Sequence, residues 1–273
     1  MLHVFNFKII KSGKQIEVYE YNTKNVVRGY TRKKRQPIKK IIRNQEQVEQ
    51  LDMYAYEKEQ EEVKEKQKQK ADFSTHRTRS NIRRLTNSNP QLNKFLTLTF
   101  AESTTELTEA NKLFHLAMKR IIHTKPDFAY ISVVEFQKDT DYYGKKKEKG
   151  GSVHYHLLCN IKTIVKRDRF EWERWFQKRY WKYGFVKVKD VNKVDNMGAY
   201  LCKYLSKEMF DKRMFGKKKF FCSRNLHQPV ELTGLKARMF FEKFVEELPL
   251  KFEKSFENKW TGKVRYTAYT LAK

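Results

Sequence analysis

The chain has 273 residues, with 59 Lys and Arg against 32 Asp and Glu, a formal net charge of +27, and a 39% hydrophobic and 14% aromatic content. Such an excess is drawn to polyanions, so nucleic acid is the first partner expected and an anionic membrane surface the second, while the apolar content excludes wholesale disorder. Three cysteines (Cys159, Cys202, Cys222) without a Cys-x-x-Cys pair exclude a disulfide framework and a zinc finger, and fit a reduced, cytoplasmic setting.

In chain order, residues 2–22 alternate (Val4, Phe5, Phe7, Ile9, then Ile16, Val18, Tyr19, Tyr21) around Lys11-Ser12-Gly13-Lys14, which predicts a β-hairpin. A basic run without acids follows: Arg28, Arg32, Lys33, Lys34, Arg35, Lys39, Lys40 and Arg43. Like charges so dense suit phosphate contact, and the run is the candidate DNA-binding segment. Asn44 to Lys70 is dominated by Glu, Gln and Lys and predicts an exposed helix with a frayed tail; Thr75 to Leu85 predicts a second, basic helix ending at Asn87-Ser88-Asn89-Pro90. The principal domain is expected to begin there, which divides the chain into a basic N-terminal hairpin and helical extension (1–90), the principal domain (91–235) and a C-terminal extension (236–273).

Within that domain, Lys94–Phe100 reads as a strand, Thr105–His123 as a helix with Leu113, Leu116, Ala117 and Ile121 at helical spacing, and Tyr130–Gln137 as a second strand. Polar residues 138–149 form a hairpin tip, Gly150–Ile161 a third strand, Arg167–Lys182 an aromatic-rich helix, Gly184–Val191 a fourth strand, and Asn196–Met209 a further helix. The β-α-β-β-α-β order predicts an α+β fold, an antiparallel sheet with helices on one face. No apolar run approaches membrane-spanning length, and residues 1–8 lack the charged-then-apolar plan of a signal peptide, so no membrane association is expected.

On a strand, residues i and i+2 share a face, so His154 and His156 project together while Tyr155 and Leu157 pack behind them. Glu135 is a charge inside the apolar strand Ile131-Ser132-Val133-Val134-Glu135-Phe136, and that strand is expected to pair with the histidine strand. Two imidazoles and a carboxylate with open positions make a candidate site for Mg²⁺ or Mn²⁺, where phosphate oxygen and water complete the shell. In the helix Asn196–Met209, Tyr200, Lys203, Tyr204 and Lys207 share one stripe, beside an apolar stripe of Met197, Leu201, Leu205 and Met209. The second stripe serves the core, which leaves the first for chemistry: a phenol hydroxyl attacks phosphorus, and an ammonium holds phosphate or stabilises phenolate.

Phe95-Leu96-Thr97-Leu98-Thr99, His154-Tyr155-His156 and Tyr200-Leu201-Cys202-Lys203-Tyr204-Leu205-Ser206-Lys207 resemble, in order, the three motifs of HUH endonucleases. The tyrosines separated by three residues are similar to those of rolling-circle replication initiators of small phages and bacterial plasmids. The resemblance covers residues 91 to about 230, and Phe221-Cys222-Ser223-Arg224-Asn225-Leu226 resembles a downstream segment of such initiators. It implies a ferredoxin-like, RRM-like core and metal-dependent nicking and rejoining of single-stranded origin DNA through a 5′-phosphotyrosine. Glu135, His154 and His156 would hold the metal, and either Tyr200 or Tyr204 would attack first, since each opens a Tyr-x-x-Lys unit. The nick would leave a 3′-hydroxyl for a host DNA polymerase. No Gly-x-x-x-x-Gly-Lys-Ser/Thr loop is present, so a host helicase is expected to unwind the duplex. A relaxase or single-strand transposase would share metal and tyrosine; a non-enzymatic RNA-binding module would share the element order but present stacking aromatics in place of His and Glu.

Overall fold

The computed structural model describes residues 3–21, 26–28, 53–140, 144–145, 150–163, 168–191, 197–198, 200–202, 212–214, 217–258 and 261–271. It is an α+β protein with two five-stranded antiparallel sheets, divided into two compact units. One unit comprises Met1–Lys11, Gln15–Ser74 and Val230–Lys273, the other Ser12–Lys14 and Thr75–Pro229.

In the first unit, β1 (His3–Phe5) pairs with β4 (Val26–Arg28), while β2 (Phe7–Ser12) and β3 (Gln15–Tyr21) form the expected hairpin. Its turn needs Gly13 at φ 59°, a conformation that a Cβ penalises. The second unit contributes the strands β5 (Lys94–Phe100), β6 (Tyr130–Phe136), β7 (Val153–Cys159), β8 (Gly184–Asp190) and β9 (Phe220–Cys222). The first unit is completed by β10 (Val230–Thr233), β11 (Phe252–Asn258) and β12 (Gly262–Thr270), giving the order β10-β2-β3-β12-β11. Phe7, Ile9, Ile16 and Val18 bury one face of that sheet against Ala237 and Val245.

The helices are α1 (Met53–Asn87), α2 (Leu107–Thr124), α3 (Arg169–Arg179) and α4 (Gly234–Phe244). Where two helices were expected over 44–85, one helix of 35 residues runs through. Residues 71–74 (Ala-Asp-Phe-Ser) contain no proline or glycine, so nothing in them stops it.

The sheet of the second unit has the order β8-β5-β7-β6-β9, all antiparallel. Its first four strands realise the β-α-β-β-α-β reading, and β9 adds a fifth. One face is closed by α2 and α3. Leu107, Ala110, Phe114, Ala117, Met118 and Ile121 fall three or four apart along α2, so they form one stripe, and they meet Leu96, Leu98, Val134, Tyr155 and Leu157. Phe114 stacks on Tyr155 at 4.3 Å, and α3 adds Trp172 and Phe176. Each such ring contributes about 1.5–3 kcal/mol by leaving water. The expectation of helices on one face describes this layer, but the other face is also covered: Ile82 and Leu85 of α1 and Leu201 pack there on Phe95, Ile131, Val133 and Leu158.

Candidate active site

Strand register sorts the site residues. Thr99 pairs with Phe185 on one side and His154 on the other, and His154 pairs with Glu135. The row across the sheet is therefore Phe185, Thr99, His154, Glu135. The next row is Lys187, Thr97, His156, Val133, and the next Lys189, Phe95, Leu158, Ile131. Directly paired residues project to the same side, so Glu135, His154 and His156 share one face. It is the face opposite α2 and α3.

Glu135 reaches diagonally from its row to His156, Oε2 to Nε2 at 2.5 Å, and Thr97 Oγ1 lies 3.1 Å from His156 Nδ1. An ionised carboxylate only accepts, so Nε2–H donates to Glu135, and in the neutral ring Nδ1 accepts from the Thr97 hydroxyl. Phe95 stacks on the imidazole at 5.6 Å and 21°. His156 is 5% exposed, so its ring is fixed by a hydrogen bond at each nitrogen and an aromatic plate on its face. The Nε2 atom of His154 is buried.

Two imidazole nitrogens and a carboxylate oxygen on one face are the donor chemistry of a divalent-ion site. Among the described residues, however, no three His, Cys, Asp or Glu side chains are gathered into a metal-holding group. Glu135 and His156 are instead spent on one another.

Of the tyrosine stripe, Tyr200 lies among the described residues, whereas Lys203, Tyr204 and Lys207 lie outside them. Residues 197–198 and 200–202 are helical, in keeping with the expected helix. Tyr200 meets Phe95 edge-on at 5.1 Å, so Tyr200, Phe95 and His156 form a continuous aromatic stack. The helical stretch is seated against α1: Cys202 Sγ faces Arg79 O at 3.7 Å, and a Cβ on Gly198 would come within 2.7 Å of Arg83 Cα. Only glycine permits that approach.

Tyr155, between the histidines, points away from them into the core, where its hydroxyl donates to Asn111 Oδ1 at 2.8 Å. Burial raises its phenol far above the ordinary range, which removes it as a nucleophile. Cys159, Cys202 and Cys222 are free thiols. Burial pushes Cys159 up to about 12, so it too is inert.

The segment after the tyrosine stretch is structural where it touches the sheet. Ser223 Oγ accepts from Tyr130 N–H, and Ser223 N–H donates to Tyr130 O, both at 3.0 Å. In the basic run, Arg28 ends β4, while Arg32, Lys33, Lys34, Arg35, Lys39, Lys40 and Arg43 lie outside the described residues. Sequence reasoning assigned no role to Thr97 or Phe95. The signal was available in the alternation of Phe95, Thr97 and Thr99, which puts them on one face of a strand neighbouring the histidines.

Among the described residues no helix is long and apolar enough to cross a membrane. No curated protein and no solved structure matches the chain. Residues 93–209, from β5 through the tyrosine stretch, match the family model of the replication-associated protein ORF2. Over this segment the chain is similar to that family, and the likeness supports a replication-associated protein.

Proposed function

We propose that the chain is a rolling-circle replication initiator of the HUH endonuclease type, which nicks and rejoins single-stranded DNA through a 5′-phosphotyrosine. The observation that carries this reading is the shared face: Glu135, His154 and His156 lie in two adjoining rows, and Tyr200 packs over the same rows through Phe95.

A tyrosine oxygen attacks the scissile phosphorus. As the new O–P bond forms, the bond to the 3′ oxygen breaks; the phenol loses its proton, the 3′ oxygen gains one, and the 5′ end remains on the protein. Rejoining is the reverse, with the 3′-hydroxyl as attacking group. Glu135, His154 and His156 would hold Mg²⁺ or Mn²⁺, which when bound polarises the phosphate and neutralises charge developing on it.

Ligation asks for a bare Nε2 on His156, and the proton moves to Nδ1. Thr97 serves both tautomers. Its hydroxyl donates to Nδ1 when Nε2–H faces Glu135 and accepts from Nδ1–H when Nε2 is a ligand. Lys203 and Lys207, one turn apart on the sequence stripe, are assigned to phosphate binding or to stabilising the phenolate. Tyr200 and Tyr204 would divide the work, one holding the first end while the other cleaves after a round of synthesis.

The basic run Arg28–Arg43 is assigned salt-dependent, weakly sequence-specific DNA affinity. A host polymerase would extend the 3′-hydroxyl, and a host helicase in the cytoplasm would open the duplex.

The test incubates the protein with single-stranded DNA carrying its origin sequence, with Mg²⁺ or Mn²⁺. Nicking and a denaturation-resistant protein–DNA adduct are expected, and both are expected to vanish in His156→Ala and in excess EDTA. Cleavage that survives either condition rejects the metal-dependent mechanism.

A further inference from the structure

The row that carries His154 and Glu135 does not end at the metal-ligand candidates. It runs out to Phe185 on β8, the edge strand of the sheet. Neighbouring strands lie about 4.8 Å apart, so Phe185 sits roughly 10 Å from His154 and roughly 14 Å from Glu135 along one flat face. Its ring is 61% exposed. Lys187 and Lys189, at the same edge in the next two rows, are exposed too. This end of the face is open, aromatic and cationic, whereas the end under Leu201 is packed shut.

Phe185 also borders a depression of about 360 Å³ between β8 and α3, lined by Phe170, Glu173, Arg174, Gln177 and Val186. Phe170 is likewise 61% exposed. Two large phenyl rings left in water on one depression mark a binding surface more than they mark a core. The one acid there is already engaged: Glu173 accepts from Val188 N–H at 2.7 Å and lies 3.8 Å from Arg169. What remains toward solvent is two aromatic faces, the Arg174 guanidinium and the Gln177 amide. These are the groups that a nucleobase with its phosphate uses: a ring to stack on, a cation for the phosphate, and an amide for the base edge.

We propose that Phe185, with Phe170, Arg174 and Gln177, forms a nucleobase subsite for single-stranded DNA, and that Lys187 and Lys189 lead the backbone from it toward the His154–Glu135 row. The occupant is an unpaired base flanking the cleaved phosphate. A duplex cannot use the site, because its base faces are already stacked. The proposal rests on the reading of this sheet face as the seat of single-stranded DNA, but its test does not need cleavage.

The experiment measures equilibrium binding of a fluorescent oligodeoxythymidine and of a duplex of the same length to the full chain, without added metal, for wild type and variants. Phe185→Ala is expected to weaken single-strand binding by about 5- to 150-fold, the range for losing one stacked base, with unchanged duplex affinity. Phe185→Trp is expected to restore it. Lys187→Gln is expected to flatten the log–log salt dependence by about 0.7. Because Phe185 is exposed, the melting temperature of Phe185→Ala should match that of the wild type, which separates lost stacking from lost fold. Unchanged affinity in the Phe170→Ala/Phe185→Ala double variant overturns the subsite, as does equal loss on single strand and duplex, or a wild type that does not hold the oligonucleotide. If the Phe185 dependence is found and no nick is ever detected, the nicking mechanism fails and the subsite stands. If nicking is found without that dependence, the subsite alone fails.

Discussion

Glu135 is bonded to His156, Oε2 to Nε2 at 2.5 Å, although the register of β6 and β7 seats it directly across from His154. The carboxylate thus takes the diagonal partner and occupies the nitrogen that a metal would need. Metal binding therefore has to part the two. Titrating Mn²⁺ into the metal-free protein is expected to broaden the imidazole resonances of His154 and His156 before those of His115 and His227. Glu135→Gln is expected to move that broadening to higher Mn²⁺ concentration. Uniform broadening of all four rings would remove the assignment of the site.

Thr97 is expected to matter without touching the substrate. Its hydroxyl holds His156 Nδ1 at 3.1 Å, so Thr97→Val keeps the shape of the side chain but releases the ring. Groups that orient a metal-ligating histidine typically account for about 10–100-fold in metal affinity or activity, and a loss of that size is expected in Mn²⁺-dependent nicking. Thr97→Ser should recover most of it. Full activity in Thr97→Val would show that stacking on Phe95 alone positions the imidazole.

Gly198 sets how closely the tyrosine-bearing stretch approaches α1. A methyl group there would meet Arg83 Cα at 2.7 Å, a backbone atom that cannot swing aside. Overpacking of this kind costs about 1–3 kcal/mol, against about 1 kcal/mol gained from the better helix propensity of alanine. The clash wins. Gly198→Ala is expected to lower the urea midpoint and to reduce adduct formation further than the stability loss explains, because Tyr200 moves with the stretch. A more stable variant with full adduct formation would refute this.

Two buried groups set an alkaline limit on stability. Burial raises Cys159 from its ordinary 9.0 to about 12, and burial with the neighbouring Cys222 raises Tyr130 from 10.0 to about 12. The unfolded chain loses these protons first, so rising pH favours unfolding. Stability is expected to be level below about pH 9 and to fall from there to about 12. Cys159→Ala should shallow that fall in urea titrations at stepped pH. An equally steep decline in the variant would exclude Cys159 as a source.

Much of this was legible in the sequence, for reasons that differ by element. β5 is marked by its apolar run, Glu135 by being a lone charge in an apolar strand, and the histidine pair by a spacing of two. The order of these elements carried the sheet topology. β9 was not legible, because its three residues, Phe220–Cys222, are too few for any periodicity, and only pairing with β6 makes them a strand. The continuity of α1 was hidden by its polar middle, which has no apolar stripe to track. The terminal sheet joins residues 7–21 to 230–270, a pairing set by contacts more than 200 residues apart that no local pattern reports. Phe185 read as an ordinary strand residue until the register put it in the row of His154.

The decisive prediction concerns the two tyrosines. Tyr200 packs edge-on against Phe95, which itself lies on His156, so its ring has a structural share as well as a chemical one. Tyr204 follows one helical turn later in the sequence, about 6 Å along an axis of 1.5 Å per residue, which lets two hydroxyls serve one phosphate in turn. Phenylalanine keeps the ring contact and removes only the nucleophile. The Tyr200→Phe/Tyr204→Phe variant is therefore expected to retain its melting temperature and its single-strand affinity while the covalent adduct disappears. Each single variant is expected to form one adduct and to fail in complete strand transfer, and peptide mapping of the wild-type adduct names the first nucleophile. An adduct that persists in the double variant would place the attacking group elsewhere in the chain.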